Sequence, residues 1–178
     1  VERVLAAAAR LRGPWKVRPL DYDKPYNHSA QNNLGVKDSG AEVFFLLNND
    51  VRLPGPQVIQ ELSNWALEPG VATAGPRIVG RKGLVSAGTE IFPKPELPGG
   101  AGIRESECGI YSREIRETSG NSFACAAVNA EVFRALEGLD ERVFPAQYND
   151  TDFLIRAAKM GRSHLFVGTE EIFHQPGQ

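Results

Sequence analysis

The fold is decided by residues 42–50, which read Glu-Val-Phe-Phe-Leu-Leu-Asn-Asn-Asp. The apolar run over 43–47 has the length of a strand, and an unbroken run indicates a strand that is covered on both faces. It stops at two amides and a carboxylate. Because open α/β sheets bind ligands at the carboxyl ends of their strands, oxygen ligands here predict a binding site for a hard cation and the phosphates that it holds. A polar turn after the strand is the alternative, because Asn and Asp favour turns for backbone reasons alone.

Helical patterns flank this strand. Ser29 can cap a helix that runs to about residue 38, and residues 57–67 carry apolar side chains at helical spacing. We predict further helices over 1–11, 130–136 and 150–160, further strands over 15–20, 71–79, 84–92, 116–128 and 164–167, and a long Pro- and Gly-rich loop over 93–109. This alternation predicts an α/β fold, a three-layer sandwich around a mostly parallel mixed sheet, in a single domain over residues 1–178.

Composition narrows the classes of partner and compartment. The formal net charge is −2 and no basic run is present, so no nucleic-acid partner is expected. No apolar stretch approaches the ~20 residues that span a bilayer, which predicts no transmembrane segment. Two cysteines, Cys108 and Cys125, provide no disulfide framework and are expected to be free thiols. We expect a cytoplasmic protein, either free or bound peripherally to the inner face of the membrane.

A second acidic cluster opens the last predicted helix, where residues 148–153 read Tyr-Asn-Asp-Thr-Asp-Phe. A single Asp suffices to cap a helix, which is worth about 0.5–2 kcal/mol. Asp150 and Asp152 are two residues apart and therefore point to different sides of the helix. One can face a cleft, where a carboxylate suits a base that takes a proton from an attacking hydroxyl. The other can hold a neighbouring cation.

Two other polar positions allow competing interpretations. Asn32 and Asn33 are adjacent poor helix formers, so a specific role for them is expected. We assign Asn33 to cofactor binding, and the alternatives are capping and packing against a loop. His174 lies near the end of the chain, and a lone histidine is more often a packed or surface residue than a ligand. His28 and His164 are left unassigned.

The ordered set of motifs resembles the inverting family 2 glycosyltransferases of the GT-A fold, especially rhamnosyltransferase-like members that build bacterial surface polysaccharides. The resembling segments are residues 23–35, 45–51, 71–76, 138–141 and 148–156. They extend over nearly the whole chain and occur in the order that the family shows.

The resemblance implies metal-dependent transfer of a sugar, with inversion, from a nucleotide-diphosphate donor to a hydroxyl of a saccharide or lipid-linked saccharide acceptor. Asn48, Asn49 and Asp50 occupy the place of the family's DXD motif and are expected to bind the donor and its cofactor. Asp50 is then a ligand of Mg²⁺ or Mn²⁺. Asp150 is the implied general base, and His174 falls near a histidine that completes the metal site in some relatives.

The chain also departs from the family's pattern. Members normally begin with a strand and a loop that bind the nucleotide base, followed by an Asp-rich loop, and neither precedes Val1. We therefore expect a chain that lacks the amino-terminal nucleotide-binding strands and that alone binds nucleotide poorly and turns over little. Asn48 and Asn149 stand where the family usually has acids. A non-catalytic α/β binding or assembly module derived from such an enzyme is the alternative. A nucleotidyltransferase ranks last, because its usual Gly-rich, basic amino-terminal loop is not seen.

Overall fold

The computed structural model describes residues 16–80, 84–86, 103–104 and 112–174. The helices in these ranges are α1 His28–Val36, α2 Gln57–Ala66, α3 Ala130–Ala135 and α4 Asn149–Lys159. The strands are β1 Val43–Leu47, β2 Val51–Arg52, β3 Val71–Val79, β4 Leu84–Ser86, β5 Ile103–Arg104, β6 Ile115–Thr118, β7 Cys125–Asn129 and β8 Ser163–His174. None of the described helices is long and apolar enough to cross a membrane.

The described strands form one mixed sheet. Strand β7 lies between β1 and β3 and runs antiparallel to both, while β8 pairs with β3 in parallel. Strands β1, β3 and β8 therefore share one direction, as expected for strands joined by helical crossovers. Strands β2 and β6 pair antiparallel with β8, and β4 and β5 extend antiparallel from β3. The α/β class with a mixed sheet is confirmed. Fewer neighbouring strands are parallel than we expected, because β7 separates β1 from β3.

Both faces of the sheet are covered. On β1, the buried side chains of Phe44 and Leu46 point into one cluster, and the partly buried Val43 and Phe45 pack against the other. The first cluster takes its helical side chains from α3 and α4, and the second takes them from α2. Alternate residues of a strand face opposite sides, so the unbroken apolar run of β1 serves two cores at once. This is the three-layer sandwich that the sequence predicts.

Helix α1 begins one residue before the predicted cap. Asn27 is the N-cap, and its side-chain oxygen accepts a hydrogen bond from the backbone N–H of Ala30 at 2.9 Å. Ser29 is buried and donates its hydroxyl to the carbonyl of Phe144 at 2.6 Å. The prediction that Ser29 caps this helix was wrong, because a tertiary contact engages its hydroxyl.

Strand β8 is longer than predicted. Its pairing with β3 passes from Val167 opposite Pro76 to Glu171 opposite Arg77, so residues 168–170 form an irregularity and pairing then resumes. A Cβ at Gly168 would lie 2.6 Å from the carbonyl oxygen of Glu114, so only glycine fits this close approach. The apolar pattern ends at Val167 and therefore misses the second half of the strand.

Other predictions were wrong or fall outside the described ranges. Residues 16–20 form no strand, and residues 103–104, inside the predicted loop, form β5. The predicted strand over 116–128 is two strands, β6 and β7. Cys125 is a free, buried thiol, and burial raises its pKa to about 12. Cys108, the helix over 1–11 and the predicted strand beyond residue 86 lie outside the described residues.

A buried polar network joins the sheet to α4. Asn121 donates to the hydroxyl of Thr73 at 3.0 Å, and this hydroxyl lies 2.9 Å from Nδ1 of His164. Nε2 of His164 lies 3.0 Å from the carbonyl oxygen of Leu154. Because a carbonyl can only accept, Nε2 carries the proton and Nδ1 accepts from Thr73. Every group in this network has a partner only while the imidazole is neutral.

Folding stability should therefore depend on His164 below neutral pH. Burial lowers the pKa of His164, so the unfolded chain takes up a proton at a higher pH than the folded chain. The contribution of His164 is fully present above its ordinary pKa of about 6.5 and is lost as pH falls below it, by at most about 1.4 kcal/mol per pH unit. Urea unfolding at pH 7.5 and 5.5 measures this loss. His164→Gln keeps a donor for the Leu154 carbonyl, so this variant should lose less stability between the two values. An equal loss in both proteins would contradict the assignment.

Candidate functional site

The most informative contact joins Asp50 and His174, which are 124 residues apart. Strand β2 pairs with the end of β8, with Val51 opposite His174. This register places Nε2 of His174 3.1 Å from Oδ1 of Asp50. The two side chains are 21% and 25% exposed, respectively, so the pair is reachable from solvent. The structure thus brings together the two residues that the sequence analysis named as metal ligands.

The geometry of this pair fits a divalent cation. Two ligand atoms at adjacent corners of an octahedron, each about 2.1 Å from the ion, lie about 3.0 Å apart. The described residues contain no group of three or more His, Cys, Asp or Glu side chains that could hold a metal. Mg²⁺ commonly takes one or two protein ligands and completes its coordination with phosphates and water. An ordinary hydrogen bond between imidazole and carboxylate has the same length. The 3.1 Å distance therefore fits both a pair that binds a metal ion and a metal-free, hydrogen-bonded pair.

Asp150 lies in the first turn of α4, as predicted. One of its carboxylate oxygens accepts a 2.8 Å hydrogen bond from the N–H of Thr151. The other accepts a 3.4 Å hydrogen bond from the N–H of Phe123, which is long for this kind of bond. The second oxygen therefore keeps capacity for a further, shorter hydrogen bond.

A short segment connects Asp150 to the end of β1. Phe123 bonds to Asp150, and the carbonyl of the next residue, Ala124, accepts a 2.9 Å hydrogen bond from the N–H of Asn48. Asn48 also accepts from Val51 N–H at 3.3 Å, which closes a turn over residues 48–51. The amino terminus of α4 and the turn that carries Asp50 therefore lie at the same end of the sheet. Asn49 is exposed in that turn.

Asp152 has a different role from Asp150. It forms a 2.8 Å ion pair with Arg156, one helical turn away. Arg156 also donates to the carbonyls of Leu136 at 2.8 Å and Gly138 at 2.9 Å. Asp152 thus holds a neighbouring cation, as the sequence analysis anticipated for one of the two carboxylates.

Asn33 holds the loop over residues 138–141. Its amide group donates to the carbonyl of Leu139 and accepts from the N–H of Leu139, both at 2.9 Å. Gly138 has φ +80°, and a Cβ there would lie 2.5 Å from the side-chain oxygen of Asn33. The loop approaches this closely because residue 138 is glycine. Asn33 and this loop line an open cleft of about 550 Å³, whose lining also includes Arg156.

Removal of the Asn33 side chain should destabilise the protein. Asn33→Ala leaves the N–H and carbonyl of the buried Leu139 without their partner, which we expect to cost about 2–3 kcal/mol in free energy of unfolding. Asn32→Ala is the matched control, because Asn32 bonds to His28 within the same helix, and it should cost less than about 1 kcal/mol. Urea unfolding of both variants tests this. Equal losses would show that the contact with Leu139 contributes little.

Tyr148 is an unusual residue for which no role was predicted from the sequence. It is the N-cap of α4, makes no side-chain capping bond, and adopts the left-handed conformation at φ 60°. That conformation costs a residue with a side chain roughly 1–2 kcal/mol. The available signal was a tyrosine where a small polar cap is usual. The next residue, Asn149, is buried, and its amide nitrogen lies 3.3 Å from Nδ1 of His28.

Comparisons with known proteins add two relatives. An uncharacterized protein of Sinorhizobium fredii, y4gI, is 29% identical over 174 residues, which cover 89% of this chain and 18% of that protein. The O-antigen biosynthesis protein RfbC of Myxococcus xanthus is 26% identical over 160 residues, or 87% of this chain and 12% of RfbC. The chain thus spans less than a fifth of the length of either relative. No protein-family model matches the chain.

Proposed function

We propose that this chain belongs to a metal-dependent, inverting glycosyltransferase of the family 2, GT-A type that acts in cell-surface polysaccharide synthesis. Its donor would be a nucleotide-diphosphate sugar, and its acceptor a hydroxyl of a saccharide or lipid-linked saccharide. One observation carries the proposal: Asp50 contacts His174 at the end of the sheet where Asp150 also lies. Similarity to a protein named for O-antigen biosynthesis supports the polysaccharide context.

The proposed roles follow from the positions of the side chains. Asp50 and His174 would hold Mg²⁺ or Mn²⁺, which neutralises charge on a departing diphosphate. Asp150 would accept the proton of the acceptor hydroxyl. The acceptor oxygen then bonds to the anomeric carbon, while the bond from that carbon to the diphosphate oxygen breaks and the electron pair leaves with the nucleotide. Inversion requires attack from the face opposite the leaving group. The donor sugar should therefore lie between Asp150 and the Asp50–His174 pair.

The amides have distinct parts in this proposal. Asn48 and Asn49 would contact the donor from the turn after β1. For Asn33 we propose an action through the loop over 138–141 rather than direct contact with the donor, because Leu139 engages both polar atoms of its side chain. The cleft beside this loop would then depend on Asn33 for its shape.

Turnover by the full-length protein tests the proposal. Panels of UDP-, dTDP- and GDP-sugars would be incubated with Mn²⁺ and lipid-linked or simple glycoside acceptors, with release of the nucleoside diphosphate as the readout. NMR of the product would give its anomeric configuration, and retention of configuration would contradict the inverting mechanism. The alternative is a non-catalytic α/β binding or assembly module derived from such an enzyme. Absence of turnover, together with no heat of binding for UDP or dTDP with Mn²⁺, would favour that module.

A further inference from the structure

We propose that Tyr148 is a stacking platform for the sugar ring of the acceptor, at the amino-terminal end of α4, which also carries Asp150. This inference rests on the proposed function and names a contact within the same site. The side chain of Tyr148 is exposed, at 69%, and Asp150 follows two residues later in the first turn of α4. In the proposed mechanism, Asp150 acts on the acceptor rather than on the donor.

Local structure alone does not account for a tyrosine at this position. A helix N-cap favours Ser, Thr, Asp or Asn, and the left-handed conformation favours Gly or Asn. An aromatic ring that remains in solvent gains little from burial. Two other described non-glycine residues have positive φ, Asp38 and Glu137. Both follow the end of a helix, where a residue in the left-handed conformation commonly terminates the helix. A bulky residue held against local preference is expected at a functional position.

Neighbouring contacts hold Tyr148 in this conformation. Its carbonyl accepts a 2.9 Å hydrogen bond from the N–H of Asp152, the first bond of the helix. The residue after Tyr148, Asn149, is only 5% exposed and contacts His28 of α1, which holds Asn149 in place. The backbone is therefore set by the helix and by α1, and the ring remains in solvent at the helix end that carries Asp150.

The chemistry of this ring suits a pyranoside. A pyranose has a face of C–H groups and a rim of hydroxyls, and tyrosine combines an apolar face with a polar hydroxyl. Stacking would orient the sugar ring at the end of α4 that carries Asp150. The expected ligand class is thus a pyranose unit at the accepting end of a saccharide, held by its ring face.

Saturation-transfer difference NMR on the full-length protein tests this contact. The probes are the methyl pyranosides of glucose, galactose, mannose and rhamnose. We expect at least one probe to receive saturation on the protons of one ring face, in the wild type and in Tyr148→Phe. Tyr148→Asn should weaken that signal roughly fivefold or more, because aromatic contacts of this kind change affinity by about that factor. Absence of any signal in the wild type would overturn the inference.

Two controls separate ring contact from damage to the fold. Asparagine tolerates the left-handed conformation, so Tyr148→Asn should fold with a Tm equal to or above that of the wild type. Tyr26→Asn removes another tyrosine of matched exposure, at 70%, and should leave the signal unchanged. An equal loss in Tyr26→Asn would show that the saturation is not specific to Tyr148 and would contradict the proposal.

Kinetics distinguish failure of this inference from failure of the proposed function. In an active full-length protein, Tyr148→Asn should raise KM for the acceptor roughly fivefold, with KM for the donor unchanged. An unchanged acceptor KM would overturn the role of Tyr148 and leave the transferase proposal standing. If the wild type has no transferase activity with any donor, the proposed function fails, and the NMR experiment still decides whether Tyr148 binds a pyranoside.

Discussion

Asp150→Asn should lower kcat of the full-length protein by about 10²–10⁴, with the affinity for the donor close to that of the wild type. Asparagine has the same shape as aspartate and can still accept the 2.8 Å hydrogen bond from Thr151 N–H. It cannot take a proton, which is the role that we propose for Asp150. The contact with Phe123 N–H is long, at 3.4 Å, so an amide nitrogen in that position should disturb the fold little. Single-turnover rates and donor titrations on the two proteins would measure both effects.

Asp152→Asn is the matched control for this experiment. It changes a carboxylate in the same helical turn, but that carboxylate is paired with Arg156. We expect lower stability and a kcat within a few fold of the wild type. Normal turnover by Asp150→Asn would show that another group accepts the proton, and equal losses in both variants would point to a structural effect on α4.

Asp50→Ala should abolish the metal-dependent part of nucleotide binding, a loss of at least about a hundredfold in affinity for UDP or dTDP with Mn²⁺. The substitution removes the carboxylate that contacts His174 and leaves at most one protein ligand of the proposed pair. Calorimetry with and without Mn²⁺ separates the contribution of the metal from that of the nucleotide. Asp38→Asn changes an exposed carboxylate after α1 and should leave binding unchanged.

NMR with Mn²⁺ can separate a metal site from a simple hydrogen bond between Asp50 and His174. If His174 is a ligand, Mn²⁺ should broaden its imidazole signals in NMR strongly, and those of the buried His164 much less. His174→Ala should weaken binding by a smaller factor than Asp50→Ala, because Mg²⁺ and Mn²⁺ prefer oxygen ligands. Mn²⁺-dependent binding that survives Asp50→Ala would place the metal elsewhere.

The elements that were predicted well are those with a local pattern. The apolar run of β1 and the helical spacing of Val58, Leu62 and Ala66 in α2 reflect which faces are buried, and these side chains lie in the two cores as expected. Asp150 at the start of α4 follows from the same kind of local pattern. The end of β8 shows the limit of this reasoning, because an irregularity at residues 168–170 interrupts the apolar pattern before His174.

Local pattern thus established the α/β class, the two-sided burial of β1 and the positions of Asp50 and Asp150 at the ends of their elements. Tertiary structure decided which distant groups meet, namely Asp50 with His174 and Asn33 with Leu139. It also holds Tyr148 at positive φ. Burial preference is a property of neighbouring residues and repeats along a helix or strand, so a short window of sequence reveals it. The contacts of Asp50 with His174 and of Asn33 with Leu139 join residues more than a hundred positions apart, and no local pattern specifies them.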